Sequence, residues 1–486
     1  MTKTTKKRKP LLIRLILWTL FLTTILLFGI IFYSGFLPTK YILLLLGIYG
    51  VAILIITVFL SIKSIKLHFK VFATIISVLL IAFNGFGVYY LGHTMDFLSI
   101  IVNKHYEIEN FYIIVPTESE YTSLSSLDNA IIASYNSPFS NDQSAKDLLS
   151  KSLTYQNIPY DNLFELPDEL YSEEVDALLL SESSYDALKE LNNSVEDDTK
   201  ILDTLLVKTV KEEDTSKQVD VTKESFNVYI SGVDSYGAIT TVSRSDVNIV
   251  MTINPNTKEI LLTSIPRDYY VQLHGTTEEK DKLTHAGTYG IDMSVLTIED
   301  LLDIEINYYL RVNFSTLIEL VDEIGGITVE SDYAFTTCCT EPEIYKFVEG
   351  ENKLNGFQAL AFSRERKNLP YGLGDRGRGI NQQKVLTAII KKMTTSTALI
   401  TNYGDIMNAL KNGFQTNMSS DDISKLIRFQ LDKMPEWTIT SIHLDGSDSN
   451  NYTYSIPGME LYVMEPDEES VQAAKDAIHE LIDKTK

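Results

Sequence analysis

Long apolar runs alternate with short polar connections in the amino-terminal part of the chain. The runs cover residues 11–33, 41–62 and 71–91, and Arg14 is the one charged residue within them. A helix rises about 1.5 Å per residue, so runs of about 20 residues cross a hydrocarbon core of about 30 Å. Arg14 lies near the end of its run, where a long side chain reaches the headgroups. We therefore predict three transmembrane helices within residues 11–92.

Basic residues are distributed unevenly around these runs. The tail of residues 1–10 carries five Lys or Arg, and the connection between the second and third runs carries three, whereas the first connection carries only Lys40. Positively charged connections stay on the cytoplasmic side of a membrane. The tail is therefore predicted to be cytoplasmic, and the chain after about residue 92 is predicted to lie outside the cell.

The charge of the chain changes sign after the third run. Residues 1–92 contain ten Lys or Arg and no Asp or Glu, which leaves 32 basic and 65 acidic residues in positions 93–486. The net charge of -23 thus combines a basic membrane part with an outer part of net charge -33. The two parts are suited to different surroundings.

Residues 103–210 contain no arginine and alternate short apolar strands with amphipathic helices. The strand patterns FYIIV, AIIASY and ALLLS are interspersed with helical patterns such as SAKDLLSKSL. This alternation predicts a small α/β accessory domain. Residues 211–225 are polar and charged, and we interpret them as a linker. A second domain is then expected over residues 226–486.

The second domain opens with the apolar strand pattern FNVYISGVD. VNIVMTIN and KEILLTS follow as two strands, joined by a turn at Asn254, Pro255 and Asn256. Helical and strand patterns then alternate as far as a closing helix at about residues 468–484. Interleaved helices and strands predict an α/β fold in which helices layer a sheet.

Charged side chains cluster at the ends of the predicted strands, where open α/β sheets place their ligands. Asp234 follows the first strand, Arg244 and Asp246 precede the second, and Arg267 follows the third after Pro266. Two carboxylates with open coordination positions suit Mg²⁺ when a phosphate supplies further oxygens. The structural alternative is that Asp234 caps a turn and Arg244 pairs with Asp246.

Residues 362–384, FSRERKNLPYGLGDRGRGINQQK, hold four of the ten arginines of the chain. Arginine matches phosphate and carboxylate oxygens two at a time, so this stretch indicates an oxyanion site. A solvated basic turn is the alternative. Lys282 and His285 lie in a glycine-bounded loop that we expect to cover the site, with His285 at the surface. The adjacent Cys338 and Cys339 cannot close a loop, which excludes a disulfide framework.

The order of short motifs across residues 226–390 resembles that of the LytR-CpsA-Psr family of envelope proteins. The motifs are GVD, SRSD, SIPRD, DKLTHA, FVEGENKLNGFQALAFSRER, and GD-x-x-R followed by QQ. The three apolar runs and the additional outer domain are similar to the streptococcal capsule branch of that family. The resemblance implies an α/β/α sandwich with an apolar tunnel. It also implies a phosphotransferase that moves a glycopolymer from an undecaprenyl diphosphate carrier to peptidoglycan.

The resemblance assigns roles by motif position. Asp234 and Asp246 are implied as Mg²⁺ ligands, with Mn²⁺ as the alternative metal, and Arg267 joins them as a catalytic residue. The implied phosphate contacts are Arg244, Arg267, Lys282, Arg364, Arg366, Arg378 and Gln382.

The sequence departs from the family pattern at three points. Arg376 is an additional arginine, which we expect at the surface. Asn381 stands where an arginine is frequent, and Thr284 with His285 replaces a pair that usually contains asparagine. These departures concern the details of the loops and leave the implied reaction class unchanged.

The resemblance implies three partners: an undecaprenyl diphosphate-linked glycopolymer, peptidoglycan and membrane lipids. Membrane proteins of capsule synthesis are further candidates, and nucleic acid is not expected as a partner. Two other functions stay open, namely a regulator of capsule or exopolysaccharide synthesis acting through the cytoplasmic tail, and an envelope diphosphatase that transfers the phosphosugar to water. The sequence does not determine whether the polymer is capsular, an exopolysaccharide or teichoic-acid-like.

Overall fold

The computed structural model describes most of the chain. The described residues are 9–102, 106–137, 141–191, 194–210, 215–233, 239–277, 279–338, 343–370, 372–395, 403–456 and 458–485. Asp234, Cys339 and most of the basic tail lie outside them, so the predictions made for those residues stay predictions.

Three apolar helices form the amino-terminal part, α1 (Lys9–Ser34), α2 (Thr39–Ser61) and α3 (Leu67–Val102). Each is long and apolar enough to cross a membrane, as predicted. Many apolar side chains face outward, including that of Trp18, which is 63% exposed. Asn84 lies 2.9 Å from the Tyr49 hydroxyl and 3.0 Å from the Thr24 hydroxyl, so polar contacts join the three helices.

The described part of residues 106–210, which we call the accessory domain, has an α/β arrangement. Its strands are β1 (Tyr106–Pro116), β2 (Ile131–Tyr135), β3 (Gln156–Tyr160), β4 (Ala177–Ser181) and β5 (Thr199–Val210). Its helices are α4 (Asp142–Leu149), α5 (Leu166–Tyr171), α6 (Glu182–Leu191) and α7 (Ser194–Asp198). The strands form one sheet in the order β3-β2-β4-β1-β5. Side chains of β1, β2 and β4 alternate between two buried clusters, so both faces of the sheet are covered.

The second domain contains the remaining strands and helices. The strands are β6 (Phe226–Val233), β7 (Ser245–Asn254), β8 (Glu259–Ser264), β9 (Tyr270–Gln272), β10 (Lys280–Lys282), β11 (Tyr308–Asn313), β12 (Ile327–Ser331), β13 (Phe335–Thr336), β14 (Lys346–Phe347), β15 (Gly350–Leu354), β16 (Phe414–Thr416), β17 (Thr438–His443), β18 (Gly446–Tyr452) and β19 (Glu460–Pro466). The helices are α8 (Leu283–Ala286), α9 (Ile291–Leu302), α10 (Phe314–Glu323), α11 (Gly356–Arg364), α12 (Gly374–Thr395), α13 (Tyr403–Gly413), α14 (Ser420–Lys433) and α15 (Glu468–Asp483).

Six of these strands form the main sheet, in the order β16-β11-β6-β7-β8-β17. β6, β7 and β8 are antiparallel neighbours, whereas β11 runs parallel to β6 and β17 runs parallel to β8. β7 and β8 are joined at the predicted turn. Because they run antiparallel, the start of β7 and the end of β8 lie at the same edge of the sheet.

Helices cover both faces of this sheet. Tyr229 and Val250 pack on one face with apolar side chains of α9 and α15. Their sequence neighbours Ile230 and Ile249 point to the other face, where α10 and α12 lie. Alternation along each strand therefore produces the predicted α/β/α layers. The hairpin of β18 and β19 was not predicted, because its strand GSDSNNY is polar and lacks the apolar alternation of a buried strand.

The chain divides into two compact units. One contains the described part of residues 1–100 with Asp220–Thr222 and Ser419–Glu436, and therefore includes α14. Within it, Lys40 at the start of α2 pairs with Asp432 of α14, with Nζ and Oδ1 2.8 Å apart. The other unit contains the accessory domain and the rest of the second domain.

Candidate functional site

A cavity of about 260 Å³ lies between the main sheet and helices α10 and α12. Part of its wall is apolar and is formed by Ile230, Val247, Ile249, Val312, Phe314, Leu317, Val385, Leu386 and Ile389. Another part is charged or polar and contains Asp246, Arg267, Arg364, Arg366, Arg378 and Gln382. The structure thus brings six predicted site residues together around one cavity that is also extensively apolar.

Asp246 and Arg267 meet at the sheet edge because β7 begins where β8 ends. Asp246 is the second residue of β7, and Arg267 follows β8 after Pro266, whose ring fixes the backbone there. Arg267 Nη1 donates a hydrogen bond to Asp246 Oδ1 at 2.9 Å. Burial alone would raise the pKa of Asp246, but the positive charges of Arg267, Arg378 and Arg244 hold this pKa below its ordinary value. Asp246 is therefore ionised at neutral pH.

Asp268 connects Arg267 to Lys282. Arg267 Nε lies 3.5 Å from Asp268 Oδ2, and Lys282 Nζ lies 3.5 Å from Asp268 Oδ1. Burial opposes the charge of Arg267, yet Asp246 and Asp268 together raise its pKa above the ordinary value. The structure places Lys282 against Asp268, outside the lining of the cavity. Its predicted phosphate contact stays a prediction.

Helix α12 presents Arg378 and Gln382 to the cavity. The two residues are four positions apart and therefore lie on one face of the helix. Burial lowers the pKa of Arg378, whereas the negative charge of its ion-pair partner Asp375 raises this pKa. The ion pair also holds the guanidinium in place beside the cavity.

Arg376, which we expected at the surface, is partly exposed. Its side chain is 35% exposed and pairs with Asp445. It borders a smaller cavity of about 20 Å³, which Asp246, Arg267 and Arg378 also line. The ion pair was not predicted, because the unpredicted hairpin of β18 and β19 begins beside Asp445 and brings that carboxylate to Arg376.

Arg364 and Arg366 lie at the end of α11. The guanidinium carbon of Arg364 is 4.6 Å from the ring centre of Phe314, which is a stabilising cation–π contact. Between the two arginines, Glu365 is buried and accepts hydrogen bonds from the backbone N–H groups of Cys338 and Arg366 at 2.7 and 2.9 Å. Glu365 thus fixes the turn that carries both arginines.

Arg244 lines a different cavity, of about 30 Å³, together with residues of the accessory domain. It still lies close enough to Asp246 to lower the pKa of that carboxyl. Asp234, the other predicted Mg²⁺ ligand, is outside the described residues. Among the residues that the structure describes, no three His, Cys, Asp or Glu side chains form a group able to hold a metal.

The segment DKLTHA is a strand and a short helix rather than a loop, and the expectation of a surface His285 is wrong. His285 is 2% exposed, and its Nδ1 lies 2.7 Å from Oδ1 of the fully buried Asp281. Thr284 Oγ1 donates to Asp246 Oδ1 at 3.4 Å, a site contact that sequence reasoning missed. Asn381 Nδ2 donates to the Phe362 carbonyl at 3.2 Å and so joins α12 to α11.

Asp375 and Glu365 are further residues whose roles sequence reasoning did not identify. Each of them neighbours an arginine, in the motifs GDRGR and RER, as Asp268 does in PRD. An acidic residue adjacent to a predicted phosphate-binding arginine is a usable signal, because a buried guanidinium needs a carboxylate to fix it.

Several named proteins resemble this chain. The polyisoprenyl-teichoic acid–peptidoglycan teichoic acid transferase TagU of Bacillus anthracis (strain CDC 684 / NRRL 3495) is 37% identical over 201 residues, which cover 41% of this chain and 63% of the relative. The protein of the same name from Bacillus licheniformis is 37% identical over 214 residues, covering 44% of this chain and 66% of the relative. The chain thus spans somewhat less than two thirds of the length of these relatives.

Solved structures of other proteins are also similar to part of this chain. The crystal structure of Bacillus subtilis TagV is 29% identical, with a TM-score of 0.45, and the match covers 54% of this chain and 99% of that one. The crystal structure of protein gbs0355 from Streptococcus agalactiae is 31% identical, with a TM-score of 0.46, and the match covers 56% of this chain and 92% of that one. The sequence profile of the LytR_cpsA_psr family matches residues 192–476, more than half of the chain. The chain therefore belongs to the LytR-CpsA-Psr family.

Proposed function

We propose that this protein is a membrane-anchored phosphotransferase that moves a glycopolymer from undecaprenyl diphosphate to peptidoglycan outside the cell. The observation that carries the proposal is the cavity of about 260 Å³, whose wall combines nine apolar side chains with four arginines. A prenyl diphosphate has the same two characters, an apolar chain joined to a diphosphate. The relatives named as polyisoprenyl-teichoic acid–peptidoglycan transferases support the same substrate class.

The proposed reaction is the displacement of one phosphate by a sugar hydroxyl. An acceptor hydroxyl oxygen of peptidoglycan forms a bond to the phosphorus that carries the glycopolymer, and the bond from that phosphorus to the bridging oxygen breaks. Undecaprenyl monophosphate leaves with the electron pair, and the hydroxyl proton is released. Arg267 and Arg378 stabilise the charge that develops on the phosphate oxygens, which is the main task of a protein in phosphoryl transfer.

Mg²⁺ is the metal in this proposal. Asp246 fits this metal because it is an ionised hard-oxygen donor beside the cavity, and Mg²⁺ binds through one or two carboxylates together with substrate phosphates. Asp246, with Asp234 as the predicted second ligand, would hold the ion, which would neutralise charge on the diphosphate.

The proposal also includes the sidedness of the membrane. The basic tail and the basic second connection favour a cytoplasmic amino terminus, and three spans then put residues 106–485 outside. That location gives the site access to peptidoglycan. The transferred polymer is capsular, an exopolysaccharide or teichoic-acid-like.

Transfer is tested with full-length protein in liposomes that contain a synthetic undecaprenyl diphosphate-linked oligosaccharide, with short peptidoglycan strands and Mg²⁺ outside. Mass spectrometry measures the oligosaccharide joined to peptidoglycan. Asp246→Asn and Arg267→Gln are expected to lower the rate of joining by about 10² to 10³, the usual cost of losing one transition-state contact.

The matched control is Arg428→Ala, since Arg428 is an exposed arginine of α14. It is expected to join oligosaccharide at the rate of the parent protein. Undiminished joining by both site variants would refute the proposed transferase. Release of free oligosaccharide phosphate in place of the joined product would instead identify the diphosphatase.

A further inference from the structure

The accessory domain is hydrogen-bonded to the backbone segment that leads into the site. The N–H of Ile108, in β1, donates to the carbonyl of Thr240 at 2.8 Å, and the N–H of Val242 donates to the carbonyl of Ile108 at 2.8 Å. These bonds are a short parallel bridge across the domain boundary. Residues 239–243 are therefore joined to β1 through Thr240 and Val242, and Arg244 follows this segment directly.

The opposite edge of this segment is held by Arg311, a residue of β11 that is 1% exposed. Its Nη1 donates to the carbonyl of Ile239 at 3.0 Å, and its Nη2 donates to the carbonyl of Thr241 at 3.0 Å and to Ser243 Oγ at 3.2 Å. Successive carbonyls of an extended strand point to opposite edges. β1 is thus hydrogen-bonded to Thr240 and Val242. Arg311 is hydrogen-bonded to the alternate residues Ile239, Thr241 and Ser243.

Arg311 is an unusual choice for a purely structural residue. A buried cation is costly unless hydrogen bonds and nearby negative charge compensate for its lost hydration. Burial lowers the pKa of Arg311, and the Glu107 carboxylate of the accessory domain acts in the opposite direction. The same carboxylate accepts a hydrogen bond from the N–H of Ile291 at 3.2 Å, at the start of α9. The accessory domain therefore contributes both β1, which bonds one edge of residues 239–243, and the negative charge that compensates for the burial of Arg311.

A second connection runs from the accessory domain through the loop after β18. Ile456 in this loop is buried within the hydrophobic cluster of the accessory domain. Its neighbour Ser455 donates its N–H to Asp281 Oδ2 at 2.8 Å, and its Oγ lies 2.8 Å from His285 Nδ1. Asp281 and His285 flank Lys282 and Thr284, whose side chains reach the carboxylates of the site.

Lys282 lies against Asp268, and Thr284 donates to Asp246. Arg244 itself lines the cavity of about 30 Å³ between the two domains, together with His285 and Tyr135. Both segments that carry the diphosphate end of the site are thus supported directly by the accessory domain, whereas the apolar wall of the larger cavity is formed within the second domain.

We propose that the accessory domain is a positioning element for the diphosphate end of the site, and that Arg311 is the positioning residue through which it aligns Arg244 and Asp246. This inference rests on the proposed transferase function. Arg311 does not belong to the lining of the described cavities, so it acts through the segment that it holds. The apolar wall binds the prenyl chain independently of this alignment.

The test uses full-length Arg311→Met and Arg311→Lys in the liposome assay, with KM and kcat measured for the prenyl diphosphate substrate. Arg311→Met keeps an unbranched apolar side chain but removes the guanidinium and its three hydrogen bonds. Its kcat is expected to fall about 10- to 100-fold with KM nearly unchanged, since a small misplacement of catalytic groups has effects of that size. Arg311→Lys keeps the charge and one donor group, and its kcat is expected between those of the parent and the methionine variant.

The fraction of protein molecules that retain the apolar cavity is measured by the binding of fluorescent undecaprenyl monophosphate. The value of kcat is then calculated per binding-competent protein molecule. A merely structural role of Arg311 would lower that fraction and leave kcat per competent molecule at the parent value, which would overturn the inference. A second variant addresses the other connection. Ile456→Ser is expected to lower kcat, whereas Tyr452→Ser, at a position 55% exposed in the same hairpin, keeps the parent kcat.

Asp246→Asn in the same assay separates the two proposals. If Asp246→Asn abolishes transfer while Arg311→Met and Ile456→Ser retain the parent kcat, the positioning role is refuted and the transferase stands. If Asp246→Asn and Arg267→Gln both retain undiminished transfer, the transferase itself is refuted.

Discussion

Asp246 is the residue at which opposing electrostatic effects are most sharply balanced. Burial favours the neutral carboxyl, and three arginines favour the carboxylate strongly enough to hold its pKa below the ordinary value of 3.8. A lowered pKa means that the folded state gains stability from ionised Asp246 above the ordinary pKa. That stability is lost as the pH falls through the lowered pKa.

Arg267→Met reverses this balance, because burial remains while the nearest positive charge is removed. The pKa of Asp246 is then expected to rise, so that the variant holds a poorly compensated buried carboxylate at about pH 7 but more of the neutral carboxyl at about pH 4. The difference in melting temperature between parent and variant should therefore be largest near neutral pH and should shrink towards acid. Calorimetry of the full-length protein in detergent over this range measures the difference.

Arg428→Met serves as the control for this measurement. Arg428 is exposed, so the difference in melting temperature between this variant and the parent should not vary with pH. A difference for Arg267→Met that is constant from pH 7 to pH 4 would show that Asp246 does not depend on Arg267 for its ionisation.

At the scale of elements, α12 has two functions, and each depends on a different one of two adjacent glutamines. Gln382 lines the cavity, whereas Gln383 is 3% exposed and donates from Nε2 to the carbonyls of Leu262 in β8 and Ile442 in β17, at 2.9 and 2.5 Å. One glutamine thus faces the site, and the next bonds the helix to the edge of the sheet. This bond fixes the position of α12, and with it the position of Arg378.

Gln383→Ala is expected to destabilise the protein by about 1–3 kcal/mol, since it removes two hydrogen bonds from buried carbonyl groups. Gln382→Ala is expected to leave the free energy of unfolding nearly unchanged and to slow transfer. Denaturant unfolding and the liposome assay, applied to both variants, measure the two effects. Equal destabilisation by the two substitutions would contradict the division of roles along α12.

The elements that the sequence predicted best are those with a pronounced apolar pattern. The strands β6 to β8 and the spans α1 to α3 belong to this group, and the charged residues at the strand ends followed from the strands. The burial of His285 and the hydrogen bonds from Arg311 to residues 239–243 were not predictable in this way. Each depends on contact with a segment more than sixty positions away, with Ser455 in one case and with residues 239–243 in the other. Local pattern carries no information about such partners.

At the scale of the whole molecule, the chain after residue 92 is acidic, whereas the substrate that we propose for it is anionic. The net charge of -33 on this part of the chain repels a diphosphate at long range, while the arginines that line the cavity attract it at short range. Screening separates the two effects, because the Debye length is about 30 Å at 0.01 M salt and about 8 Å at 0.15 M. Distant surface acids therefore act only at low salt. The cluster of Arg267 and Arg378 would act at both salt concentrations, because a diphosphate in the cavity would contact it directly.

Raising the ionic strength from about 0.01 to about 0.15 M should consequently lower KM for the prenyl diphosphate substrate and leave kcat nearly unchanged. The liposome assay measures both constants when potassium chloride is varied at fixed Mg²⁺ and with uncharged lipid. A protein that captured its substrate through a broad basic surface would show the opposite, because salt would weaken the attraction and raise KM. A KM that rises with salt would therefore contradict the view that attraction in this molecule is confined to the arginine-lined end of one cavity.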